Sequence, residues 1–523
     1  MRFLTVISAT LLSSLLVLGG ESKRILIKSL EDPALDTIVV ARVGDRRLTA
    51  REFVENYYFG PACIDASSQP RRAILEGMIA EALLAQAATD SVSDLPGIIA
   101  PTLAAIEGDL ATEELYRHEI WDTVRVSPRD VDQALRESSR SFAFRWLFAP
   151  DRAQADSMAS RVRAAGFDSV YALCDSSVQR SRTEDAFHLR MTSPAIHDVV
   201  HSMKQGAVSE VVRGPDGYYI LRVDRVVRSS AVPASRLPEA RRNIERELRQ
   251  FKAGMASDQF VDRLMKTVSP VIQRNAFNLL TAYIGKQYLA EGLFEAWNLK
   301  RYLMTEAGPL PPEEVGRVRS LPLVNLRDGN MTLGEFIDWF ALRSHAFKFS
   351  TAGLAHFFAS VEGYVWRMVR DELLVRKAAS EGYASLPSVQ ADAGRWKGKL
   401  SALAMLEEII RSTGADTTAV HRYFLDHYRR YGSSSDTSSQ FSRNYERAER
   451  DRMDEALTAR LFHAKTILER CIPVVRYLDI VEALDLPLRG DAKSVGVLVV
   501  KKSGTFPRKA FPTFEDVWCR ILQ

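Results

Sequence analysis

A run of short signals occurs twice in this chain, and its two occurrences differ in length. Thr49-Ala-Arg-Glu52-Phe53 follows the β-forming stretch Thr37–Val43 and the turn Gly44-Asp45. Thr332-Leu-Gly-Glu335-Phe336 follows Leu323–Leu326 and Asp328-Gly329 in the same order, 283 positions later. In Thr-x-x-Glu the hydroxyl and the carboxylate take reciprocal backbone N–H groups at a helix start, so both places predict a strand, a turn and a capped helix. Met78–Ala88 recurs as Met368–Ala378 at a displacement of 290, with its Met, Ile or Val and Leu residues on one helical stripe. Val131–Leu135, after the helix start Ser127-Pro128, recurs as Val420–Phe424 at 289. Leu264–Ile272 recurs as Ile467–Val475 at only 203. The second run is therefore shorter by about 87 residues, between matches that bracket Ser141–Val227. One helical module used twice, with a guest fold inserted in the first copy only, accounts for the order and the deficit together.

The bracketed stretch reads as two β-runs enclosing helices. Ser141–Phe148 and Gly217–Val227 cluster β-formers over strand lengths and predict neighbouring strands. Arg152–Ala165 has helix-forming composition and ends at Gly166, which can take the positive φ of a helix stop. Ile196–Met203 predicts a second short helix, stopped by Gly206. The run Pro194-Ala-Ile-His-Asp-Val-Val-His-Ser-Met-Lys-Gln-Gly-Ala-Val-Ser-Glu-Val-Val212, leading into Gly217-Tyr-Tyr-Ile220, resembles the parvulin family of peptidyl-prolyl isomerases. The family pattern there is Pro-Ala-Phe, a short helix, Leu, Gly-Glu-Val-Ser and Gly-Tyr-His-Ile.

That resemblance implies a pocket for a proline ring, with two facing histidines on the first and last strands above an apolar floor. Here Trp146 and Tyr219 stand at the histidine positions and Ile196 at the Phe position, while Met191 and Met203 keep the floor apolar. The implied domain is degenerate: a peptide-binding hollow of Trp146, Met191, Ile196, Met203 and Tyr219, without a catalytic residue that can be named. A helical module interrupted by a parvulin domain and resumed by a long helix is similar to the chaperone module of SurA- and PrsA-type foldases. The returning helix is Leu237–Val268, whose Ile244, Leu248, Phe251 and Met255 stripe is expected to pack on the helix at Met78–Ala88. The expected fold class is mainly α with an inserted α+β parvulin-like domain and a duplicated helical chaperone module. Its parts are a signal peptide (1–20), a discontinuous first module (21–137 and 231–285), the parvulin-like domain (138–230), a linker (286–320), a second module without insert (321–485), and a C-terminal strand and helix (486–523).

Met1–Gly20 has one basic residue, an apolar core and small residues at its end, the pattern of a secretory signal too short to span a membrane comfortably. A periplasmic or otherwise exported protein is expected. Seventy basic against 66 acidic residues, a net charge of +4, is too even a balance to argue for nucleic acid. None of Cys63, Cys174, Cys471 and Cys519 sits in a CxxC pair; a Cys471–Cys519 disulfide and four buried thiols are the two readings. His197 and His201 share a helix face at zinc-like spacing, but Asp198 replaces the Glu of the hydrolytic motif and no third ligand is spaced to join them. No metal or other cofactor is expected, and solvated or cap-forming histidines are. The resemblance implies a chaperone for unfolded or nascent exported proteins, outer-membrane precursors among them, acting without catalysis. The alternatives are an active prolyl isomerase with an altered pocket and a structural envelope-assembly protein.

Overall fold

The structure is a computed structural model that describes residues 25–26, 32–62, 67–174, 180–214, 216–229, 233–305, 308–309, 315–344, 347–414, 416–431, 437–486 and 511–522. The expected signal segment 1–20, Cys63 and residues 487–510 of the stretch expected to hold the C-terminal strand and helix lie outside the described residues.

The local signals form the elements their residues dictate. Strands β1 (Val39–Val43) and β2 (Arg46–Thr49) pair antiparallel and run into α1 (Ala50–Phe59) and α2 (Pro70–Ser91), then α3 (Leu95–Tyr116). At the start of α1, Glu52 N–H donates to Thr49 Oγ1 at 3.3 Å and Thr49 N–H donates to Glu52 Oε2 at 2.8 Å. Helix α4 (Pro128–Ser138) opens at a second such box, Ser127 with Asp130. The insert follows as β3 (Arg140–Ala149), α5 (Arg152–Ala165), β4 (Ser181–Asp185), α6 (Ala186–Thr192), α7 (Pro194–Ser202), β5 (Val212–Arg213) and β6 (Tyr218–Arg228). Gly166 stops α5 at φ +83°, as its lack of a Cβ permits. After it come α8 (Leu237–Val268), β7 (Val271–Ile272), α9 (Arg274–Tyr288) and a second hairpin, β8 (Pro322–Leu326) with β9 (Gly329–Thr332). Helix α10 (Leu333–Ala341) begins at the second Thr-x-x-Glu box, with the Glu335 N–H to Thr332 Oγ1 bond at 3.2 Å. Helices α11 (Leu354–Ser380), α12 (Pro387–Thr413), α13 (Thr417–Asp426) and α14 (Thr437–Cys471) lead to β10 (Val474–Arg476).

The described residues divide into two units: those up to Ala111 together with those from Ala378 on, and Thr112–Lys377. This grouping departs from the expected modules of 21–137 with 231–285 and of 321–485, and the sheets give the reason. In the first unit the strand order is β10-β1-β2; in the second it is β9-β8-β7. Each hairpin takes its third strand from the end of the other repeat. Both are tied by equivalent bonds, Tyr477 N–H to Val40 O at 3.0 Å and Gln273 N–H to Leu323 O at 2.8 Å. A hairpin alone is marginal in water, and a third strand satisfies one of its edges.

Packing follows the exchange. The core of the first unit joins Phe53, Ile74, Ile79 and Leu83 to Ala402, Ile409, Leu461 and Val481. Helix α14, not α8, lies against α2. Helix α8 packs instead on α4, burying Ile244 and Leu248 against Val131 and Ala134, and its stripe runs out at Met255, which is 49 % exposed. In the second unit Leu280, Phe336, Phe357 and Val365 from helices form a core with Leu323 of β8. Leu289 and Leu299 join it, so residues 286–320 are more than the expected linker. The expected Cys471–Cys519 disulfide is not formed: Cys519 is disulfide-bonded, whereas Cys471, exposed at the end of α14, is free, as is Cys174.

Candidate functional site

The insert is a four-stranded antiparallel sheet in the order β4-β3-β6-β5, covered by helices on both faces, which gives the mainly α chain its α+β domain. Strand periodicity sorts the side chains. Leu147 and Ile220 point to the face covered by α5 and the Phe167–Ala172 helix, packing with Ala159, Phe167 and Val170. Phe142, Phe144, Leu221 and Val223 point to the opposite face, under α6 and α7, where Ala186, Leu189 and Val200 meet them.

Trp146, Ile196, Met203 and Tyr219 all lie half-buried against this second cluster. Four of the five residues read as a hollow are thus brought together, from β3, α7, the end of α7 and β6. Trp146 N–H donates to Arg180 O at 3.0 Å, and its ring lies 5.9 Å from Phe144. Met191 is not among them. It packs with Phe187, Val131, Ala134, Ile244 and Leu248, where the insert meets α4 and α8. Residues two apart on a helix face away from each other, so Leu189 facing the sheet sends Met191 outward. Leu189 and Phe144 are the lining residues the motif match passed over; the alternation along β3 already distinguishes Phe144.

Tyr219 is held on three sides. Its ring packs against Phe148 at 5.3 Å, and its hydroxyl donates to Asp216 Oδ1 at 2.7 Å. Gly214 admits the ring, because a Cβ there would stand 2.6 Å from it; a Cβ at Gly217 would stand equally close to Phe148. Desolvation and then the Asp216 carboxylate push the Tyr219 pKa up to about 12, so the phenol is neutral in the ordinary pH range.

The three imidazoles of the domain sit on the helices. His188 Nδ1 lies 2.7 Å from Asp185 Oδ2 and its Nε2 lies 3.3 Å from Glu247 Oε2 on α8. Burial opposes its protonation and is outweighed by the hydrogen bond and charge of Asp185, with Glu247 and Glu184 adding to it, so its pKa is raised. His197 is buried at 8 % exposure, with Nδ1 3.0 Å from Asp198 Oδ1, a correction to the solvated side chain expected there. His201 is exposed beside it, ring to ring at 5.2 Å, and burial, Arg140 and His197 lower its pKa. Among the described residues no three His, Cys, Asp or Glu side chains gather as a metal site would need. The arrangement offers an apolar, aromatic floor and a neutral phenol already donating to a neighbour. No imidazole stands on the sheet.

A family model described as PPIC-type PPIASE domain matches residues 133–237. No curated protein matches the chain. Among solved structures, it is similar to peptidylprolyl isomerase (PrsA) from Bacillus cereus, at 14 % identity and a TM-score of 0.22 over 40 % of this chain and 82 % of that one. It is also similar to PrsA from Bacillus anthracis, at 13 % identity and a TM-score of 0.19 over 34 % and 89 %, respectively. Foldase protein PrsA from Streptococcus pneumoniae matches at 12 % identity and a TM-score of 0.21, over 41 % of this chain and 89 % of its own. Among the described residues no helix is long and apolar enough to cross a membrane.

Proposed function

We propose that this chain, which carries a parvulin-type peptidyl-prolyl isomerase domain over residues 133–237, holds extended polypeptide segments and does not speed the turning of prolyl bonds. One observation carries this reading: Trp146 and Tyr219 share the apolar face of the sheet, at the positions where the parvulin resemblance implies facing histidines. Rotation about a peptide bond meets a barrier of roughly 18–20 kcal/mol, and a pocket lowers it through polar groups placed on the twisting amide. Tyr219 commits its O–H to Asp216, and the domain's imidazoles lie on α6 and α7. What the face retains is adhesion. Burying one apolar side chain of a guest against Trp146, Ile196 and Met203 would stabilise the complex by about 1.5–3 kcal/mol before the entropy of ordering is subtracted.

The clients in this reading are unfolded or nascent exported proteins, outer-membrane precursors among them. Export rests on the composition of Met1–Gly20. The test is a protease-free prolyl-peptide isomerisation assay on the full chain. The expected result is the spontaneous rate. A faster rate that disappears in Tyr219→Ala would replace this reading with that of a working isomerase.

A further inference from the structure

The end of the chain is seated in a groove of the first unit as a guest peptide would be. Phe511 stacks on Phe59 of α1 with ring centroids 4.7 Å apart. Phe514, 3 % exposed, lies on α2 at Gly77, where any Cβ would come within 2.8 Å of its ring. Between and after these rings the backbone is gripped by side chains. Phe514 N–H donates to Asn56 Oδ1 at 2.9 Å and Glu515 N–H donates to Glu81 Oε1 at 2.7 Å. Residues 511–515 form neither helix nor strand, and Glu515 is extended at φ −74° and ψ 149°.

The receptor side is organised without its guest. Asn56, 3 % exposed, is oriented by its own Nδ2–H donating to Glu52 O at 2.8 Å. Glu81 is fixed by Lys399 Nζ at 2.8 and 3.1 Å, and Lys399 also reaches the Glu515 carboxylate at 2.8 Å. Acceptors fixed in place reduce the ordering cost of binding, and if the guest left they would remain aimed at its empty track. Their demands on a guest are slight: two consecutive main-chain N–H groups, an extended path, and rings at the first and fourth positions. An unfolded polypeptide meets them wherever two aromatic residues fall three apart. Beyond this stretch the chain is anchored, with Trp518 at 1 % exposure and Cys519 disulfide-bonded, so that Phe511–Glu515 can leave while its continuation stays.

We propose that this groove, lined by Phe59, Asn56, Gly77, Glu81 and Lys399, is a second polypeptide site, specific for extended segments with two aromatic residues three positions apart. Phe511–Glu515 is its resident guest, displaced when such a segment competes. The proposal rests on the reading of the chain as a holder of polypeptide and adds a site, in the other unit from the parvulin face, with its own specificity.

The probe is a fluorescent peptide copying residues 508–516, with a control peptide carrying Ser for both Phe, titrated by anisotropy into the full chain. The Phe511→Ser/Phe514→Ser variant, its groove vacated, is expected to bind the probe at least tenfold more tightly than the unaltered chain. That gain should be absent with the control peptide and lost when Asn56→Leu is added. Equal affinity for the vacated and unaltered chains, with far-UV circular dichroism unchanged, overturns the proposal. A second arm needs no variant. In the unaltered chain, hydrogen exchange at the Phe514 and Glu515 amides should quicken at least fivefold under excess probe while Trp518 stays protected, and exchange indifferent to the probe also overturns the site. A chain that suppresses client aggregation yet fails both arms keeps its proposed function and loses only this groove.

Discussion

His188 is held from two sides, by Asp185 at the start of its own helix and by Glu247 on α8, so one imidazole ties the parvulin-type domain to the helical scaffold. Glu184 also faces it, itself paired with Arg182 at 2.8 Å. Because the folded-state pKa is raised, the contribution is fully present below the ordinary histidine value of roughly 6.5 and fades as pH rises through the folded value. Replacing His188 by Asn should therefore lower the thermal unfolding midpoint most near about pH 5.5 and scarcely at about pH 8.5. A deficit that grows with pH would contradict the clamp. The side chain is partly exposed, so the effect should be a few degrees at most. At this scale the sequence was legible where period and spacing act alone. Trp146, Ile196, Met203 and Tyr219 fall on one face because strands alternate and the short helix keeps its register. Met191 lies away from that face: a motif match fixes position along the chain and not angle around a helix, and Leu189 holds the inward angle. The burial of His197 was also hidden: spacing sets it beside His201 on one helix face, but that Phe142 of β3 meets this face, at the His201 ring, depends on a segment far away in the chain.

Among the elements, hairpins and capping boxes were legible because their signals are local: each box bonds across three residues, as at Thr49 with Glu52 and Thr332 with Glu335, and each hairpin closes within about ten. The third strands were not. Val271-Ile272 and Val474-Val475 offer nearly the same side chains and the same backbone donors, so their pattern does not say which hairpin each completes. What distinguishes them lies in three dimensions. Arg476 reaches Glu76 on α2 at 2.5 and 3.1 Å, and Lys465 joins them at 3.1 Å. Burial works against the charged Glu76 and is overcome by Arg476 and then Lys465, leaving its pKa lowered. Arg395 and Lys399 on α12 also pair with Glu55 and Glu81 from the first repeat, although at Glu81 burial outweighs Lys399 and leaves the pKa raised. Removing a buried ion-pair partner costs about 3–5 kcal/mol, because the remaining charge is stranded. The exchange has a consequence for truncation. A chain ending at Cys471 loses β10 with its Arg476 anchor, and with them Val481, Phe514 and Trp518 of the same core, so residues 32–111, at the opposite end of the sequence, should become sensitive to limited trypsin digestion. Residues 112–377 should keep their resistance. Loss of protection confined to the cut end would contradict the strand exchange.

For the whole molecule, the two units carry the two surfaces proposed to hold polypeptide: the aromatic face of the parvulin-type domain in one, and the groove that holds Phe511–Glu515 in the other. In the proposed reading, 70 basic against 66 acidic residues leave little net charge to draw a client in, so apolar contact is the expected means of capture. Contacts of that kind are screened little by salt. They are also the contacts by which unfolded chains aggregate, and covering them competes with that process. The most direct measurement is light scattering of a chemically denatured client diluted into buffer with the full chain present in stoichiometric amount. Holding of extended polypeptide predicts scattering suppressed at least severalfold against an inert protein of equal mass, with the suppression kept at about 0.5 M salt. Scattering that rises as it does with the inert protein would contradict it.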